Sequence, residues 1–124
     1  MNTLVFDHER LDVYRASIDF NAWAGVLLDG PLAKCALNVA KHLDQAAASI
    51  TLNIAEGNGR RSHKDRCRFL DISRGSALEC VACLDVLVAR KALQEEETVA
   101  GKGLLKRIME MLYRLVERLL ANER

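Results

Sequence analysis

The sequence predicts an all-α chain, folded as a single-domain antiparallel up-down-up-down four-helix bundle. Three observations carry this expectation. Apolar residues recur at spacings of three and four in four separate stretches, the period of a helix with one buried face. Ala and Leu are abundant, while the chain has one Pro and only 5% aromatic residues, a bias toward helix over sheet. The stretches are joined by short corners without strand-type alternation or internal repeats, so successive helices are expected to lie antiparallel. A length of 124 residues, 50% of them apolar, suits one domain with one real core over 1–124.

The first helix is expected over about 7–28. Leu11, Tyr14, Ile18 and Gly25 share a face that Phe20, Trp23, Leu27 and Leu28 widen. Asp7 is a candidate cap, and Asp29-Gly30-Pro31 a stop, with Gly30 for a left-handed exit and Pro31 opening the next helix. The second helix is expected over about 32–58. Leu32, Cys35, Val39, Leu43, Ala46, Ile50 and Ile54 keep the period, with alanines between them that let a neighbour approach. Gly57-Asn58-Gly59 then reads as a corner, because these residues tolerate the left-handed conformation that ends helices.

The third helix is expected over about 62–92, with Ser62 as N-cap and Asp65 at its third position. Its second half, Ala77 to Ala89, carries only two charges, Glu79 and Asp85. A helix on the outside of a monomer needs a polar face. This stretch is therefore either surrounded within its own bundle, which is hard in so small a protein, or packed on another subunit as well, and the second is expected. Gln94 to Gly103 is the last corner, with Glu95-Glu96-Glu97 a solvated loop or an acidic first turn, and with Gly101 and Gly103 loosening it. The fourth helix is expected over about 104–122, with the stripe Leu104, Ile108, Met111, Leu112, Leu115 and Leu119. Lys106–Glu110 and Glu110–Arg114 are opposite charges four apart on its outer face.

Net charge is +1 overall, which by itself points to neither nucleic acid nor membrane. Its distribution is uneven. Between Arg60 and Arg74, six basic residues (Arg60, Arg61, Lys64, Arg66, Arg68, Arg74) face two acids, Asp65 and Asp71. That segment carries +4, leaving −3 for the rest of the chain. Basic side chains at a corner and a helix start are a footprint for phosphate, which also favours helix N-termini. The alternative is a solvated basic face, partly neutralised by pairs such as Glu56–Arg60. Base-stacking aromatics are scarce: only Phe69 is near, and it reads as core.

Other chemistry is poorly represented. Gly57-Asn58-Gly59 lacks the spacing and Lys of a P-loop. Cys80 and Cys83 sit mid-helix with no second pair, so buried thiols are expected rather than a metal or redox site. His8, His42 and His63 form no metal spacing, and no catalytic constellation is evident, so neither cofactor nor enzymatic activity is expected. Glu79 is expected to be a satisfied buried or interface acid, paired with an Arg or with an Asn such as Asn53. No secretory signal and no apolar run of about 20 residues is present, so a cytoplasmic protein with reduced thiols and no membrane partner is expected.

Ala48-Ser49-Ile50, Asn53-Ile54-Ala55-Glu56-Gly57, Arg60-Arg61-Ser62 and Phe69 through Glu79 together resemble the signature of a bacterial four-helix-bundle family. Its founding members are encoded in intervening sequences of the large ribosomal RNA, and accessory proteins of diversity-generating retroelements are relatives. The resemblance implies an antiparallel bundle and a ring-shaped homo-oligomer, a pentamer, with a non-enzymatic role in RNA or DNA binding or in scaffolding. It places Asn53, Glu56, Gly57, Gly75, Ser76 and Glu79 at signature positions, with Gly75 and Ser76 allowing close helix approach. There are two departures: Asp44 and Gln45 stand where many members carry an Arg pair, and Tyr14 where they carry Trp. The first leaves Arg60 to Arg74 to carry any nucleic-acid surface. The other function class is a scaffold that binds a protein partner without nucleic acid, motivated by the near-neutral total and the apolar half of the third helix.

Overall fold

The computed structural model describes residues 6–122. Residues 1–5, most of the start considered above for a signal, lie outside them. Four helices make up the described chain: α1 (Asp12–Asp29), α2 (Asn38–Asn58), α3 (His63–Ala89) and α4 (Val99–Ala121). Each packs on its chain neighbours, α1 also packs on α4, and α2 with α3 forms the most extensive pair. This is the expected up-down-up-down bundle. One end gathers the start of α1, the end of α2, the start of α3 and the end of α4, where Leu11, Gly57, Asn58, Arg66, Leu70, Leu115 and Leu119 line one small hollow.

The core follows the periodic stripes. Phe20, Leu43, Ile50, Ile54, Leu84, Leu87, Leu105, Ile108 and Leu112 are fully buried. Two polar seams accompany it. Between α1 and α2, Thr51 Oγ1 donates to Ser17 Oγ (2.9 Å), and Asn21 Nδ2 donates to the Ala47 carbonyl (2.8 Å). Between α2 and α3, Ser73 Oγ donates to the Ile50 carbonyl (2.8 Å), and the Ser49 and Ser76 hydroxyls share a bond of 2.7 Å. Asn53 does not reach Glu79; its amide donates to the carbonyl and hydroxyl of Ser49. Small side chains let these helices come close, and each buried hydroxyl finds a partner, as burial demands.

Several boundaries differ from expectation. Asp7 does not cap α1. It opens a 3-10 turn, Asp7–Arg10, and its Oδ2 accepts from Asn58 Nδ2 (2.9 Å). α2 starts at Asn38, not near Leu32, and runs unbroken through His42–Gln45. Pro31 lies in the intervening loop, while Leu32 is buried there as a plug, held by its N–H on the Leu27 carbonyl (2.8 Å). α3 ends at Ala89, and its exit uses a positive φ (63°) at Lys91, a non-glycine residue. The Ala92 N–H reaches the Leu87 carbonyl and the Lys91 N–H reaches that of Val88, the paired bonds of a Schellman motif.

No described glycine has positive φ, so none of Gly30, Gly57 and Gly59 makes a left-handed exit. Gly57 lies inside α2, and its role is space. A Cβ there would stand 2.9 Å from Phe69 Cβ and 3.2 Å from the Arg66 carbonyl oxygen. Gly75 has nothing within 4 Å of a built Cβ and is exposed, so it does not serve helix approach within the chain. Ser76 does, through Ser49. α4 starts at Val99, five residues before the expected Leu104, preceded by the 3-10 turn Glu95–Thr98, which the Glu97 carboxylate caps through the Gln94 N–H (2.7 Å). Ser62 caps α3 as expected, its Oγ accepting from the Asp65 N–H (3.1 Å). Lys106–Glu110 and Glu110–Arg114 form no ion pair within the described residues.

Gly101 replaces flexibility with fit: a Cβ there would fall 2.2 Å from the ring of Trp23. Gly25, by contrast, has nothing within 4 Å of a built Cβ. Gly101→Ala is expected to cost about 1–3 kcal/mol by overpacking. Gly25→Ala is expected to stabilise by about 0.5–1 kcal/mol through helix propensity. Urea melts check both, with Trp23 emission as a reporter that shifts only in the first variant.

Candidate nucleic-acid interface

The basic segment turns the corner from α2 into α3. The Ser62 cap starts α3 immediately after Arg60-Arg61, so these two arginines lie in the short corner between α2 and α3, while Arg66 and Arg68 ride on the first turns of α3. Arg66 Nε donates to the Arg60 carbonyl (2.7 Å), and Arg60 Nη2 donates to Glu56 Oε2 (2.8 Å). These two bonds tie the corner together. The second spends part of the positive charge of Arg60, the role expected of Glu56.

Phe69 is not core. It is half-buried, and the guanidinium carbons of Arg60 and Arg68 both lie 4.6 Å from its ring centroid. A cation over an aromatic face is stabilised by about 0.5–1 kcal/mol at exposed sites. The ring therefore draws together two arginines from opposite sides of the corner. Arg60 Nε is buried without a hydrogen-bond partner.

The six basic residues do not form one patch. Arg60 and Arg68 flank Phe69. Lys64 lies one turn before Arg68 on the same face of α3, and both it and Arg61 are exposed. Neither Arg61 nor Lys64 has an ion-pair partner among the described residues. Arg68 stands 4.0 Å from Asp65, a loose exposed pair. Arg66 is half-buried in the hollow at the bundle end, working on the corner backbone. Arg74 lies apart, beside a groove of about 260 Å³ that it shares with Tyr113 and Val116 of α4. The face available to an anion is therefore Arg60, Arg61, Lys64 and Arg68. The bundle end also holds Arg10, Arg114 and Arg118, which sequence spacing alone does not join to the corner. The antiparallel topology is the signal that could find them.

Glu79 is neither buried nor near Asn53. It is more than half exposed, with His42 Nδ1 4.0 Å away. Glu56 and Glu79 each answer to a different partner and do not form a carboxylate pair. Among the described residues, no group of three His, Cys, Asp or Glu side chains could hold a metal ion. No described helix is long and apolar enough to cross a membrane.

Cys67, Cys80 and Cys83 are buried, and Cys35 is half-buried. Burial, then the nearby Cys83 and Glu79, push the Cys80 thiol up to about 12, and burial also raises Cys83. A thiolate is the reactive form, so both are poor nucleophiles near neutrality. Iodoacetamide at pH 8 is expected to leave Cys80 unmodified in the folded protein and to label it in urea. An unfolded thiol ionises near 9 while the folded Cys80 holds its proton to about 12. Its contribution to stability is therefore complete below pH 9 and declines as pH rises between those values, which urea melts at graded alkaline pH would record.

The sequence pattern of the 23S rRNA-intervening sequence protein family matches residues 9–114. A crystal structure of a protein of unknown function from the S23 ribosomal protein family of Bacteroides thetaiotaomicron VPI-5482 has a similar fold. Its TM-score is 0.74 at 19% identity, over 84% of this chain and 97% of that one. No curated protein matches.

Proposed function

The chain belongs to the 23S rRNA-intervening sequence protein family, and we propose that it is a non-enzymatic, homo-oligomeric protein that binds RNA or DNA through the α2–α3 corner. The observation that carries this reading is the Arg60–Phe69–Arg68 stack beside the unpaired, exposed Arg61 and Lys64. Two guanidinium groups held on one ring, with two further cations next to them, fit a phosphate backbone better than a single point charge would. The family's association with ribosomal RNA genes agrees with such a ligand. Repetition of the corner around an oligomer would turn four local charges into a multivalent surface.

The outward face of α3 supports self-association. Ile72, Leu78 and Val86 are 43%, 48% and 36% exposed, and Gly75, Ala82 and Ala89 lie exposed on the same side of the helix. A glycine inside a helix costs about 1 kcal/mol against alanine. Gly75 has no packing reason within its own chain, and a second copy packed on this face supplies one. A closed ring, with five copies the number that the family resemblance implies, is the assembly we propose. The same face also suits a scaffold that holds a protein partner, which is the second reading.

Two measurements test these proposals. Arg61→Gln/Lys64→Gln/Arg68→Gln is expected to weaken binding of RNA and DNA at low salt by one to two orders of magnitude. It should also flatten the dependence on log salt by roughly one for each phosphate no longer neutralised. Indifference to these changes, or no binding by the native protein, would refute the nucleic-acid reading. Leu78→Glu is expected to convert the oligomer to monomers in light scattering while helicity is kept. A native protein already monomeric, or a variant still assembled, would remove the role given to α3.

A further inference from the structure

A second cluster of cations sits at the same end of the bundle, away from the signature residues. The start of α1 and the end of α4 enclose a groove of about 340 Å³, lined by Arg10, Arg114 and Arg118 over an apolar floor that includes Leu11, Met111 and Leu115. Arg114 and Arg118 lie four apart on α4 and so share a face. Arg10 reaches the groove from the 3-10 turn before α1. All three are exposed, and none has an ion-pair partner among the described residues.

Two carboxylates on the α1 side are engaged, and Glu110 and Glu117 of α4 do not line the groove. Asp12 lines the groove, but its Oδ1 pairs with Arg15. Glu9 Oε1 accepts the Phe6 N–H (2.7 Å). Leu11, the N-cap of α1, offers no side-chain oxygen, so the first turn of this 18-residue helix has no side-chain cap where it meets the groove. Three like charges converging on one cavity repel one another, and an anion between them removes that cost. The first turn of α1, whose cap residue supplies no side-chain acceptor, adds in the same direction.

We propose that this groove is a second phosphate site, and that with the α2–α3 corner it makes the end of the bundle a two-point grip on one nucleic-acid strand. The strand-gripping part rests on the nucleic-acid reading above. The hollow formed by Leu11, Gly57, Arg66 and Leu115 shares Leu11 and Leu115 with the groove, and reaches the corner through Arg66, whose Nε donates to the Arg60 carbonyl. The groove's arginines are presented by two elements, so their relative placement is set by the α1–α4 packing and not by local sequence.

The test uses the full chain with a short fluorescent RNA and the matching DNA duplex. Arg114→Gln/Arg118→Gln is expected to weaken binding about tenfold or more and to lower the salt slope for duplex by about two. Arg61→Gln/Lys64→Gln should produce a separate loss that adds to it. Both pairs are exposed, and unchanged thermal melts would show that the variants remain folded. If the groove variant binds with native affinity and slope while the corner variant fails, the groove site is overturned and the corner reading stands. A loss confined to the groove variant upholds the groove and overturns the corner. If the native chain binds no nucleic acid, sodium pyrophosphate is the probe. Saturable shifts of the Arg114 and Arg118 Nε–H resonances uphold a phosphate site that serves free phosphates, and their absence overturns it.

Discussion

The close seam between α2 and α3 is the constraint from which the rest of the molecule follows. At its lower end Gly57 leaves room for Phe69 Cβ and the Arg66 carbonyl. Higher up, Ser73 donates to the Ile50 carbonyl and Ser49 meets Ser76. A side chain at position 57 would have to displace backbone, which yields far less readily than the tip of a flexible side chain. The seam therefore sets how sharply the chain turns at residues 59–62. That turn decides where Arg60 stands relative to Arg68, and Phe69 receives both because the two helices are this close. The corner's chemistry is thus a by-product of helix packing.

The second polar seam performs a different task. Ser17, Asn21, Thr51 and the Ala47 carbonyl interlock α1 with α2 through bonds that a slipped helix could not make. Apolar stripes alone tolerate sliding by a turn, since one leucine replaces another. Buried hydroxyls and amides do not, because each unpaired group costs about 1–3 kcal/mol. Together the seams index three helices to one another along their length. α4, which lacks such a ladder, is located by fit: its Gly101 lies against Trp23, and its Lys102 pairs with Asp85 of α3.

Much of this is readable from residue order. Four helices, their antiparallel order, the Ser62 cap and the buried thiols all follow from local period and composition. The features that residue order misplaces share a physical cause. A missing Cβ serves two purposes, positive φ or close approach, and only the neighbour decides between them. Gly57 reads as a helix stop because Phe69, twelve positions later, is invisible as its neighbour. Gly101 reads as loosening because Trp23 is far away in the chain, and the expected start of α4 falls too late for the same reason. Phe69 itself keeps an apolar period and so reads as core, although its partners are two cations. The six basic residues are legible as a cluster, yet their division among three surroundings is not, since a turn of helix redirects a side chain without altering the sequence around it. Arg10, Arg114 and Arg118 lie still further from inference, as only the closed bundle makes them neighbours.

The stacking of Arg60 and Arg68 on one ring has a thermodynamic side as well. A free arginine gives up about 1.5–2 kcal/mol of rotamer entropy when a ligand immobilises it. Side chains already resting on Phe69 surrender part of that freedom during folding, before any ligand arrives. The corner is therefore preorganised rather than a solvated fringe of charge, and a phosphate bound there would be held more by enthalpy and geometry. The exposed Arg61 and Lys64 have no such support. They retain their mobility, so the same few residues combine an ordered anchor with a pair of adaptable arms.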